Sequence, residues 1–104
     1  MIRARRHKKA KRVKPISLYL DEAITRGKAK NDSDTARIIG VTRAAVSDWR
    51  NGRRIPDDEQ AVALAELLEI EPGELLAEAG AARARSEKTR KAWERVAARM
   101  AGKA

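Results

Sequence analysis

Around the apolar positions Val46 and Trp49, one short segment sets out a guanidinium, a methyl, a hydroxyl and a carboxylate at helical spacing. These are Arg43, Ala44, Ser47 and Asp48, followed by Arg50, Asn51, Arg53 and Arg54. None is a nucleophile beside a general base, and the chain has no cysteine and one histidine, His7, far off in sequence. What this set can do is recognise. A guanidinium donates two parallel hydrogen bonds, a hydroxyl donates or accepts, a carboxylate accepts from an amino group, and a methyl touches another methyl. The edges of base pairs in a DNA major groove present those partners. Arg43 can reach guanine O6 and N7, Ala44 a thymine methyl, Ser47 a base edge and Asp48 cytosine N4. Plainer roles stand beside these. Arg43 can hold a phosphate, Ala44 can simply be small, Ser47 can be a bare surface serine, and Asp48 can orient Arg43 or Arg50, the role preferred for it. Arg50, Asn51, Arg53 and Arg54 lie beyond the bases that the start of such a helix reads and are assigned to the DNA backbone. Asn31, Ser33 and Thr42, at the starts of two helices, are assigned to phosphates as well.

The elements that must carry these residues are legible in the stretch 32 to 56, DSDTARIIGVTRAAVSDWRNGRRIP. Ala36 lies mid-way along a first helix, where only a methyl lets a second helix approach. Gly40 falls where the chain must stop and reverse, a turn that needs positive φ. Thr42 can cap the second helix through its hydroxyl. Ile38, Ile39, Val41, Val46 and Trp49 supply a buried wedge, and Gly52 ends the second helix, which is expected over about Arg43 to Asn51. This stretch resembles the helix-turn-helix of the lambda repressor, Cro and Xre-type regulators. Ser47-x-Trp49-x-x-Gly52-x-x-x-Pro56 is similar to the signature that closes the recognition helix in many of them, and the resemblance covers about Ile16 to Leu76. It implies a DNA-binding transcriptional regulator, most simply a phage, prophage or mobile-element repressor that binds operator DNA as a dimer.

The rest of the chain reads as helices too, since Phe is absent and Ala frequent. Ile16, Leu20, Ala23 and Ile24 share a face of a helix over about Ser17 to Arg26. Asn31, Asp32 or Ser33 can cap the next. Asp57-x-x-Gln60 is a capping-box pattern after Pro56, opening a helix whose Ala61, Val62, Leu64, Ala65, Leu67 and Leu68 are apolar. Pro72 suits the first turn of a fifth helix that carries Leu75 and Leu76, with Gly80 weakening its continuation. Ser86 can cap a basic helix over about Glu87 to Met100, with Ala92, Trp93, Val96, Ala97 and Met100 on one stripe. That stripe is expected against the fourth and fifth helices, whose acids would complement Arg90, Lys91, Arg95 and Arg99. Trp93, Val96 and Met100 either complete the core or help form a twofold dimer. The expected fold is all-α: a compact five-helix lambda repressor-like domain over 16–80, an additional C-terminal helix in 81–104, and a disordered basic arm over 1–15.

Charge falls in blocks. Residues 1–14 carry eight bases and no acid, 15–57 net +2, 58–80 seven acids and no base, and 81–104 net +6, for a total of +9. A polyanion would therefore meet the arm and the helix-turn-helix while the acidic block faced elsewhere. Arg3, Arg5 and Arg6 are candidates for minor-groove insertion, the plainer reading being a solvated basic tail. His7 belongs to that tail rather than to a ligand set. The absence of cysteine excludes disulfides and thiolate metal sites. No apolar run is long enough for a membrane span, and no apolar segment follows the basic start to make a signal peptide. A cytoplasmic protein at the nucleoid of a bacterial host is expected, with no cofactor, no metal, no evident small-molecule ligand and no catalytic constellation. The expected partners are double-stranded operator DNA and a second copy of the chain, with an antirepressor or toxin protein as a further candidate. Two alternatives remain: an antitoxin that also represses its own operon, and a non-specific DNA-organising protein in which the arm dominates.

Overall fold

The computed structural model describes residues 14–102, and the candidates Arg3, Arg5, Arg6 and His7 lie outside them. Six helices and no strands are found among the described residues: α1 (Ile16–Thr25), α2 (Asp32–Ile39), α3 (Arg43–Arg50), α4 (Asp58–Leu68), α5 (Pro72–Arg83) and α6 (Glu87–Ala101).

Most helix starts follow from caps written in the sequence. The Asn31 side chain accepts from the Asp34 N–H, Thr42 from Ala45, Ser86 from Thr89, and Asp57 and Gln60 form the reciprocal capping box of α4. Each satisfies a donor that the first turn would otherwise leave unpaired. Pro72 occupies the first turn of α5, with Glu71 as its cap. Gly40, at φ 80° and ψ 34°, ends α2 in the left-handed region, and the N–H groups of Gly40 and Val41 both reach the Ala36 carbonyl at 2.9 Å.

The core joins Tyr19, Leu20 and Ala23 of α1 to Ala36, Ala45, Val46 and Trp49, and closes on Ala61, Leu64, Ala65, Leu68 and Leu75. α2 packs on α3, α4 on α5, and α1 touches α2, α3 and α4. Hydrophobic burial on this scale is the main force holding so small a domain.

Four expectations are corrected. Ile38 is not part of the wedge; it is 41% exposed, and the tight reversal at Gly40 leaves Ile39 and Val41 to pack on the core. Gly80 does not weaken α5, which runs through it to Arg83. A Cβ at Gly80 would lie 2.8 Å from the Trp93 ring, so the missing side chain makes the seat for that ring. α6 packs chiefly on α5 rather than on α4 and α5 together. Its Arg90 pairs with Glu87 and Glu94, and Lys91 with Glu87, all within α6, instead of reaching the acids of the earlier helices.

Candidate nucleic-acid interface

The turn at Gly40 and the Thr42 cap fix how α3 leaves α2. Thr42 Oγ1 accepts from the Ala45 N–H at 3.0 Å, which commits that hydroxyl to the helix. α3 then buries Ala45, Val46 and Trp49 and turns Arg43, Ala44 and Ser47 outward. Asp32, Ser33, Arg43, Ala44, Ser47 and Arg50 line an open hollow of about 490 Å³ between the start of α2 and α3. The structure thus brings together three of the four candidate base-reading residues with Ser33. No described residue pairs with the Arg43 guanidinium.

The other arginines are engaged. Arg50 makes a two-pronged contact with Asp32, Nε to Oδ2 at 2.7 Å and Nη2 to Oδ1 at 3.1 Å. Its Nη1 donates to Asp21 at 2.9 Å. These carboxylates, Asp32 first, push its pKa above the usual guanidinium value. Arg50 therefore ties α3 to the start of α2 and to α1, where the spacing pointed to a DNA phosphate. The planar fork suits this better than an ammonium would. Asp48 pairs with neither Arg43 nor Arg50: Oδ1 accepts from Arg53 Nε at 3.1 Å, and Oδ2 lies 3.6 Å from Arg54 Nη1. Asn51 donates from Nδ2 to the Ser47 carbonyl at 2.9 Å.

At the start of α2, Asn31 Oδ1 is used as the cap and Ser33 is exposed. Asp34 accepts from the Lys30 N–H at 2.8 Å and from Arg37 at 2.6 Å. These contacts, the Lys30 N–H foremost, hold its carboxyl below the usual value. Two acids in this turn thus complement the positive end of the α2 dipole that a phosphate would otherwise meet. Sequence spacing missed the Asp21, Asp32 and Arg50 set, because its members lie on three helices and only the packed domain joins them.

Residues 28–75 match the family model described as helix-turn-helix. The matched span includes both α2 and α3, with Gly40 and Thr42 between them. These residues are similar to helix-turn-helix domains of the Xre and lambda repressor-like type. No curated protein and no solved structure matches the chain. A helix-turn-helix domain supports a DNA-binding transcription regulator, and α3 is the second helix of the matched pair. Among the described residues no helix is long and apolar enough to cross a membrane.

Proposed function

We propose that the protein is a sequence-specific repressor that binds operator DNA as a dimer, with α3 in the major groove of each half-site. The observation that carries this reading is Arg43, exposed on the first turn of α3 with no described residue pairing its guanidinium. A guanidinium so placed can take guanine O6 and N7 together, while Ala44 and Ser47 meet the neighbouring edge. Ser33, at the edge of the hollow, would meet a phosphate beside it. In a twofold dimer the two recognition helices stand about 34 Å apart, one turn of the duplex. The resemblance to the lambda repressor and Cro favours a phage, prophage or mobile-element origin.

The test compares wild type with Arg43→Ala on DNA from upstream of the protein's own gene and on a scrambled duplex, at two salt concentrations. Wild type is expected to prefer its own upstream DNA by about a thousandfold, and Arg43→Ala to lose much of that preference. Equal binding to both duplexes, lost together as salt rises, would mean that charge alone holds the DNA.

A further inference from the structure

The loop after α3 is folded back onto one residue. Gly52, at φ 76°, reverses the chain, and the N–H groups of Arg53 and Arg54 then donate to the Asp48 carbonyl at 2.8 and 3.3 Å. The same residue's carboxylate takes both guanidiniums, Arg53 at 3.1 Å and Arg54 at 3.6 Å. Its side chain is 25% exposed, theirs more than 60%, so the cluster stands at the surface, where such pairs are weak and exchangeable. Asp48 is also one helical turn from Ala44, on the same side of α3. One carboxylate therefore sits one turn from Ala44 while it occupies the two arginines of the loop that follows α3.

We propose that Asp48 is a specificity-determining residue that couples base reading to phosphate binding. On a duplex without a matching base edge, the carboxylate keeps Arg53 and Arg54 and cancels one of their two charges. Where the base edge offers an amino group, such as cytosine N4, the carboxylate accepts from it. Arg53 and Arg54 then pass to phosphates. Sequence-independent affinity, which comes from phosphate neutralisation, is held down, and the operator alone receives the full charge of the loop. This rests on the reading of α3 as the recognition helix.

The experiment measures affinity against salt for wild type, Asp48→Asn and Asp48→Asn in an Arg53→Ala, Arg54→Ala background, on the upstream and scrambled duplexes. Asparagine keeps the size and the backbone contacts but not the charge. Asp48→Asn is expected to bind the scrambled duplex about tenfold more tightly, with a log-log salt slope steeper by about 1 to 2, one to two more phosphates. The preference for the upstream duplex should shrink, and the triple variant should show no such steepening. An Asp48→Asn protein that discriminates as wild type does, with an unchanged slope on scrambled DNA, overturns the proposal and leaves the recognition reading intact. A wild type that fails to discriminate at all overturns the recognition reading and the specificity role with it. A merely structural Asp48 would lower the melting temperature of the variant without steepening the slope, which also overturns the proposal.

Discussion

Two buried polar side chains, Thr35 and Glu78, are treated differently. Thr35 donates its hydroxyl to the Asn31 carbonyl at 3.2 Å. Glu78, 7% exposed, leaves Oε1 without a partner. Burial pushes the Glu78 carboxyl up to about 7, the charges of Glu74 and Glu94 push the same way, and the Lys14 N–H and ammonium oppose them. A carboxyl raised in the folded state binds a proton there that the unfolded chain has already lost. Its contribution is therefore intact below about 4.5 and is lost as pH rises toward about 7. Two other groups with shifted pKa values lie outside that window. The Tyr19 hydroxyl, buried and donating to Glu74 at 2.7 Å, titrates well above it. Asp34, held down by the Lys30 N–H and Arg37, titrates below it. Glu78→Gln removes the ionisation, so its stability relative to wild type should rise by up to about 3 kcal/mol between pH 4.5 and 8, read by urea unfolding. A difference that stays flat across that range would show that Glu78 is solvated and ionises normally.

α5 and α6 form an antiparallel pair whose register is set by two glycines seven residues apart. A Cβ at Gly73 would lie 2.9 Å from Met100 Sδ, and one at Gly80 would lie 2.8 Å from the Trp93 ring. Trp93 and Met100 are themselves seven apart, two turns, so each large side chain drops onto a bare stretch of α5. Gly80→Ala should expel the ring, since an indole cannot yield as a methionine tip does. A red shift in tryptophan emission is expected, absent when Trp93→Phe is added. The better helix propensity of alanine, about 1 kcal/mol, offsets part of the loss in stability. Emission that stays at the wild-type wavelength would mean the ring does not rest on Gly80. Much of this architecture was legible in the sequence because it is local. Asn31, Thr42, Ser86 and the Asp57 and Gln60 pair act within one turn of themselves, so spacing alone places the helix starts. Gly80 was misread because a glycine that breaks a helix and one that seats a ring look alike until the partner is known. The candidate site divides the same way: the outward Arg43, Ala44 and Ser47 follow from periodicity, whereas the ties of Arg50 and Asp48 depend on helices and a loop brought together by folding. The burial of Glu78 was missed for the same reason, since its neighbours lie on other elements.

At the scale of the molecule, α6 contributes no residue to the buried core cluster that runs from Ile16 to Leu75. Only its Ala97 is fully buried, Trp93 stays 40% exposed, and Arg90 and Lys91 pair with acids of α6 itself. The helix-turn-helix core is therefore expected to fold without α6, and under the proposed dimer the exposed part of the α6 stripe is where a second copy would meet it. A repressor that reads two half-sites draws affinity from that pairing, because the second recognition helix binds at high effective concentration once the first is seated. A chain truncated after Arg85 should keep the helical signature of α1 to α5 in circular dichroism, sediment as a monomer where the full chain is proposed to sediment as a dimer, and bind the upstream duplex at least about tenfold more weakly. A truncated chain that remained a dimer of unchanged affinity would remove α6 from the interface. One that lost its fold would show that the Gly73 and Gly80 seats on α5 need their α6 partners, which makes α6 the completion of a monomer's core.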